Sequence, residues 1–391
     1  MTEVKIFGAH DERTKEQMAR CMQYGSVVGG VLCADGHLGY AQPVGGVIAY
    51  DEHVSVSGVG FDIACGNMAV KLDLRKAAIA DRIGPILNAI AANVSFGLGR
   101  SNAEKVEHEL FDSPLWQEAG MIGHLKGMAR DQLGTVGSGN HYVDLFEDED
   151  GFVWIGVHFG SRGLGHKTAT AFIKAAGGKD GIDVAPTVLQ QDSDLGRQYL
   201  AGMTLAGLYA YAGREWVVAK VRSIVGGEVL DSVHNHHNYA WRERHGERDL
   251  WVVRKGATPA FPGQRGFVGG SMGDDAVILS GVDSETLAAS FYSTVHGAGR
   301  VMSRTEARGR SVKDPTTGKR TRQPGRIRHD EMQAWLRAKG VHLVGADLDE
   351  APQAYRRLPD VLAQHTGTVR IEHTLRPFAV VMAGADVFDP F

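Results

Sequence analysis

Asp62 and Cys65 stand three apart in GVGFDIACGN, on a glycine-bounded turn that follows an apolar run. A lone cysteine in such a place is ordinarily a small buried hydrophobe. A carboxylate in the same apolar company is costly if unpaired, and a carboxylate and a thiolate on one turn can converge on a metal ion. Four histidines could complete the ligand set: His141 after GTVGSGN, His158 on the strand-like run VWIGVHF, and His236 with His237 in VHNHHNY. Each alone is more often a hydrogen-bonded structural residue. Flanked by Asn, Gly and Ser, they form with Asp62 and Cys65 a mixed set that suits zinc, cobalt, iron or manganese, the soft thiolate favouring zinc.

A second constellation reads STVHGAGR from Ser293 to Arg300. Glycines leave His296 sterically bare, and a neutral imidazole attacks phosphorus competently once its other ring nitrogen fixes the tautomer. A carboxylate such as Asp35, in CADGHLGYAQPVGG, can do that. GSRGLG follows the VWIGVHF strand and opens a helix, an arrangement that offers backbone N–H groups to a phosphate with Arg162 able to fork onto its oxygens. GTVGSGNH, GGSMG and HGAGR repeat the loop type. The chain has no GxxxxGK[ST] and no GxGxxG between strand and helix, which excludes the P-loop and Rossmann solutions.

Elements must position these groups, and composition says what kind. The chain has 391 residues, 43% of them hydrophobic and 23% charged, so it can build an enzyme-sized core. Its 51 glycines against 12 prolines demand many tight turns or close backbone approaches. The spacing predicts a helix from Thr14 to Tyr24, glycine-punctuated strands over 26–70, and a helix from Asp73 to Asn93 bent or interrupted at Pro85. Further helices are expected from about His166 to Ala176 and from about Asp194 to Val225, with strands at VWIGVHF, LWVVRK and AVILSG. With no clean linker, the expectation is one α+β domain over 1–391, its glycine-rich β segments gathered around a central metal site with flanking helices.

A net charge of −4 argues against a chain that coats polyanions by bulk charge. Residues 304–328 depart from this, with nine Lys/Arg against two acidic residues. The segment reads as a loop, either merely solvated or an electrostatic footprint for a polyanion. Cys21, Cys33 and Cys65 form no CxxC pair, the first residues carry no apolar signal core, and no run approaches a membrane span. A soluble, reduced, cytoplasmic protein with no membrane partner is expected.

Taken together, the motifs resemble those of the RtcB family of RNA-splicing ligases. The likeness rests on DGHLGYAQPVGGVIA, GVGFDIACG, GTVGSGNHYVD, HFGSRGLG, HHNY, RKGATPA, GSMG and HGAGRVMSR, in this order over nearly the whole chain. It implies a ligase that joins RNA ending in a 2′,3′-cyclic phosphate or 3′-phosphate to RNA with a 5′-hydroxyl, using GTP and two Mn²⁺. Manganese replaces the zinc that ligand softness alone suggested. By motif match, Cys65 would bridge the ions, one also held by Asp62 and His141, the other by His158 and His237. His296 would take GMP as a phosphoramidate with Asp35 orienting its ring, and GMP would then pass to the RNA 3′-phosphate. Asn140, Asn238, Arg300 and the Gly297-Ala298-Gly299 backbone would hold the nucleotide, Tyr355 would stack on guanine, and Arg162 would lie nearer the RNA end. An archease-type activating protein is a further implied partner.

The sequence departs from the family pattern at two base contacts. Met382 stands where the family has a C-terminal lysine reaching guanine, and Asp144 replaces a glutamate one methylene longer. These departures leave open a metal-dependent phosphodiesterase or phosphatase acting on cyclic-phosphate ends. A third reading is a non-catalytic, metal-stabilised protein that binds RNA through residues 304–328.

Overall fold

Val153, Ile155, Val157 and Phe159 alternate onto one buried face of their strand, and Trp154 is fully buried on the other. Both faces of the sheet around it are therefore covered. The structure, a computed structural model, describes residues 3–313, 316 and 320–384. Its principal strands are β1 (Val4–Ile6), β2 (Val27–His37), β3 (Val44–Tyr50), β4 (Gly66–Arg75), β5 (Tyr142–Glu147), β6 (Phe152–Phe159), β7 (Val229–His236), β8 (Asn238–His245), β9 (Arg248–Lys255), β10 (Arg265–Val268), β11 (Ala276–Gly281), β12 (His342–Ala346) and β13 (Val369–Gly384). The longer helices are α1 (Glu12–Cys21), α2 (Ile83–Asn93), α3 (Arg162–Ala175), α4 (Asp194–Val225) and α5 (His329–Lys339). The fold is mixed α+β, as expected.

The large sheet runs β10-β11-β13-β5-β6-β4-β7, antiparallel throughout, with β12 parallel alongside β13. The second sheet runs β1-β2-β3-β9-β8. β7 lies at one edge of the first and β8 at one edge of the second, and His237 alone links them where the chain passes from one sheet to the other. Helix α4 braces both halves. Its Tyr199, Met203 and Tyr209 enter a helix-rich core with Phe172 of α3, while Val217, Val218 and Val221 enter another beneath Ile155 and Val157. Each such side chain, fully buried, contributes about 1.5–3 kcal/mol.

Helix α4 begins and ends where the spacing predicts, with the Ser193 hydroxyl accepting from the Gly196 N–H at its start. Other stretches differ. Over 73–93, strand β4 continues to Arg75, a 3₁₀ segment spans Lys76–Arg82, and the α-helix starts at Ile83. Pro85 then falls in the first turn, where a missing N–H costs nothing. Within the expected strands, Val56–Val59 forms a helical turn capped by Ser55. The basic loop is also corrected: Arg304–Arg308 is helical, and Gly309–Lys313 pairs antiparallel with Arg320–Pro324. Residues 314, 315 and 317–319 of that segment lie outside the described residues.

Candidate metal and histidine centre

The turn that carries Asp62 and Cys65 is stitched to the sheet crossing. The Cys65 N–H donates to Asp62 O at 3.0 Å, the Ala64 N–H to Asn238 O at 2.7 Å, and the His237 N–H to Cys65 O at 2.8 Å. Two glycines make this closeness possible. A Cβ on Gly66 would lie 2.2 Å from the Asn235 carbonyl oxygen, and one on Gly160 would lie 2.2 Å from an Asp62 carboxylate oxygen. Sterics therefore reserve both positions for residues without a side chain.

Five of the sequence-predicted ligands meet here. Asp62, Cys65 and His141 form one cluster and Cys65, His158 and His237 another, with donor atoms within 4.8 Å of one another in each. The Cys65 Sγ lies 3.8 Å from His141 Nε2 and 3.6 Å from His158 Nε2, and His141 Nε2 lies 3.0 Å from Asp62 Oδ2. Second contacts aim the rings. His141 Nδ1 lies 2.9 Å from the Val136 carbonyl and His158 Nδ1 lies 2.6 Å from Asn67 Oδ1, contacts that orient each ring with Nε2 toward the thiol. Buried His237 Nδ1 has no hydrogen-bond partner among the described residues.

These donors fit divalent cations. Burial holds His158 and His237 neutral, well below the usual imidazole range, which is the ligating form. Burial and the neighbouring Asp62 push the Cys65 thiol well above its usual range, so the thiolate needs a cation beside it. Burial also raises Asp62, but the His141 hydrogen bond and charge outweigh it and hold the carboxyl at about 2. His236, the other histidine of the pair, faces away from both clusters and binds the Arg214 guanidinium instead.

The second constellation assembles on the other sheet. Asp35 is fully buried near the end of β2, and its Oδ2 receives the His296 N–H at 2.9 Å, the Gly297 N–H at 3.3 Å and His296 Nδ1 at 2.6 Å. Burial raises Asp35, yet the charge and hydrogen bonds of His296 outweigh it and keep the carboxyl below its usual range. Nδ1 thus carries the proton and Nε2 is left as the free nucleophilic nitrogen. The His296 and His237 ring centroids are 5.0 Å apart, which sets the candidate nucleophile against the metal donors.

One cavity of about 300 Å³ joins both groups and is lined by Asp62, Cys65, His158, His237 and His296, with the Gly297–Arg300 backbone at its wall. Asn140, Asn238, Asp144, Tyr355 and Met382 also line it. Several of these are already engaged. Asn238 donates to Asp62 O at 3.2 Å and accepts from the Gly256 N–H at 2.7 Å, and Asn140 Nδ2 lies 3.4 Å from His158 Nε2. Arg300 donates to the Tyr355 hydroxyl at 2.8 Å, to Glu350 at 3.2 Å and to Asp349 O at 2.6 Å. Tyr355 in turn donates to Glu350. Burial lifts Asp144 well above the carboxylate range, with Val380 and Met382 for company rather than a cation.

Arg162 opens α3 with a φ of 55° and lies behind the first cluster, its Nη1 3.0 Å from His141 Nδ1. His37, Asn67, Lys255 and Glu350 also line the cavity and are not among the residues singled out from sequence. Asn67 was legible as the second residue after Cys65, and Lys255 lay in the quoted RKGATPA. Glu350 had no local signal. Part of the basic segment's charge is answered internally: Arg304 pairs with Asp349 and Glu350, Arg308 with Asp347 and Asp349, and Arg326 with Glu306.

The sequence matches the family described as tRNA-splicing ligase RtcB over residues 17–128 and 117–383. The chain belongs to the RtcB family. It is 31% identical over 382 residues to RNA-splicing ligase RtcB of Escherichia coli K12, covering 89% of this chain and 88% of that one. It is 30% identical over 456 residues to tRNA-splicing ligase RtcB of Thermococcus kodakarensis, covering 94% and 91%. Among the described residues, no helix is long and apolar enough to cross a membrane.

Proposed function

We propose that this protein is a GTP- and Mn²⁺-dependent RNA ligase that joins RNA 3′-phosphate or 2′,3′-cyclic phosphate ends to 5′-hydroxyl ends. The observation that carries the reading is one cavity in which Cys65 is common to two ligand clusters and His296, oriented by buried Asp35, faces them. The names of the relatives as RNA-splicing and tRNA-splicing ligases support the substrate class. Asp62, Cys65 and His141 would hold one ion, and Cys65, His158 and His237 the other. Bound there, the ions would act as Lewis acids on phosphoryl oxygens.

His296 Nε2 attacks the α-phosphorus of GTP, an N–P bond forms, and pyrophosphate leaves. Its Nδ1 proton stays shared with Asp35, whose charge stabilises the cationic ring that results. An RNA 3′-phosphate oxygen then takes the GMP from His296, and the 5′-hydroxyl of the second RNA displaces GMP to form the phosphodiester. The Gly297–Gly299 backbone gives the nucleotide room to approach, and Tyr355 offers a ring face to its base.

The test is incubation with α-labelled GTP and Mn²⁺, followed by RNA carrying the two ends. Acid-labile label on the protein, absent in His296→Ala, with GTP-dependent sealing of the RNA, is the expected result. The absence of label with any divalent metal would sink the reading. Met382 and Asp144, whose carboxyl burial raises, line the cavity in place of a lysine and a glutamate and favour one alternative, a phosphodiesterase or phosphatase on cyclic-phosphate ends. Opened but unsealed ends, independent of GTP, would establish that instead.

A further inference from the structure

Helix α4 delivers one arginine to the back of the site. Arg214 is fully buried, and its guanidinium has four acceptors. Nη1 donates to Ala64 O at 3.1 Å and to Phe159 O at 2.6 Å, Nη2 donates to His236 Nδ1 at 2.8 Å, and Nε donates to His234 Nε2 at 2.8 Å. Three of these belong to residues directly beside metal donors: Ala64 precedes Cys65, Phe159 follows His158, and His236 precedes His237. They lie on adjacent chains of the large sheet, where Gly66 at the start of β4 pairs with both Phe159 and His236. Among the described residues none of these acceptors is a carboxylate, although a buried guanidinium ordinarily takes one. The acidic side chains within electrostatic reach are Tyr211, Cys65, Asp62 and Glu215.

We propose that Arg214 is the positioning residue for the second cation site, fixing the mutual register of Cys65, His158 and His237 from behind. A planar fork with several fixed donors can hold three chain segments at once, whereas an ammonium group cannot reproduce that geometry. The role extends the metal reading above and rests on it. It is also selective. Asp62 and His141 receive no hydrogen bond from Arg214, so the first ion keeps its own two donors when the fork is lost.

The experiment is a Co²⁺ titration of the purified protein, read by the thiolate-to-cobalt absorption and by equivalents bound, for wild type, Arg214→Lys and His236→Phe. His236→Phe removes one acceptor of the fork and keeps a ring against Tyr211, whose centroid lies 3.9 Å away. Wild type is expected to bind two ions. In both variants one ion should bind about 10–100-fold more weakly, the range for lost outer-shell support, and the other, which shares only Cys65 with it, should weaken several-fold less. Single additions of His158→Ala and His141→Ala then identify the weakened ion: in Arg214→Lys, the first should abolish the weak ion and leave the strong one, and the second should remove the strong one. Two ions bound with wild-type affinity and an unchanged thiolate band in a folded Arg214→Lys would overturn the proposal. Equal weakening of both ions would overturn it too. Should Arg214→Lys fail to show native near-ultraviolet circular dichroism, His236→Phe decides by the same criteria. A wild type that binds no Co²⁺ would refute the metal reading itself, which separates the two failures.

Discussion

Asp35→Asn separates charge from orientation at the candidate nucleophile. Three donors converge on one oxygen, since the His296 N–H, the Gly297 N–H and His296 Nδ1 all reach Asp35 Oδ2. Asp35 Oδ1 has no hydrogen-bond partner among the described residues. An asparagine is therefore held with its carbonyl oxygen in the Oδ2 position, because turning the amide would set its NH₂ against two backbone N–H groups. The carbonyl still accepts from Nδ1, so the tautomer that frees Nε2 survives. Only the charge is lost, and a hydrogen bond to a charged group exceeds a neutral one by about 1–2 kcal/mol. At about 1.4 kcal/mol per tenfold, the single-turnover rate of protein labelling from α-labelled GTP should fall about 5–30-fold. Asp35→Ala, which removes the acceptor altogether, should cost more than Asp35→Asn by at least a further tenfold. Co²⁺ binding should be unchanged in both, because Asp35 sits on the second sheet away from the donors. An Asp35→Asn rate as low as that of His296→Ala would refute the reasoning, since it would mean that the amide turned or that Asp35 itself transfers a proton.

Three other outcomes follow from the same structure. Gly297→Leu should abolish labelling while binding metal normally, because a Cβ there meets only Gly269 O at 3.3 Å and the rest of the side chain would enter the cavity; measurable label would contradict it. Cys65→Ala should retain the native circular dichroism and lose cation binding, whereas a structural metal protein would unfold. His365 is fully buried, accepts the Ala34 N–H at 3.2 Å, and is lowered by burial from 6.5 to about 4. Between those values the unfolded chain binds a proton that the native state refuses, so its stabilisation is complete above pH 6.5 and falls by about 2 kcal/mol on going to pH 4.5. Urea midpoints of wild type and His365→Gln, compared at pH 7 and 4.5, should diverge by that amount; parallel loss in both would exclude the assignment.

The donors were legible because their chemistry is local. Asp62 and Cys65 sit on one turn, and His158 occupies the face opposite the apolar alternation of β6, so composition and period alone single them out. Helix α4 was legible for the same reason, as a long run whose spacing decides its own ends. What failed depended on partners far along the chain. The stretch from Asp73 has helical spacing, yet β4 extends to Arg75 because β6 and β7 flank it and complete its ladder. The charge of 304–328 looked free because Asp347, Asp349 and Glu350, which answer part of it, come some forty residues later. By residue chemistry alone His236 and His237 are indistinguishable; the family resemblance names His237, and the sheet crossing turns that ring to the cavity and its neighbour to Arg214.

That crossing also bears on why the two constellations face one another. The metal donors belong mainly to the ends of β4, β6 and β7 in the large sheet, whereas Asp35 lies on β2 and Lys255 on β9 in the second. Ala257, two residues beyond Lys255, pairs with Val295 and so carries His296 toward the same cavity, while the Ala257 N–H donates to His237 O at 3.1 Å. His237 is thereby bonded to both sides: its N–H to Cys65 and its carbonyl to the strand beside the nucleophile. Displacement at phosphorus needs the attacking nitrogen and the cations on one phosphate at near-contact distances. In this fold His237 ties the two sides at the site itself, and Val268, Val277 and Leu279 of the large sheet share a core with Val31, Val47 and Ala49 of the second, so both constellations are held on one packed frame.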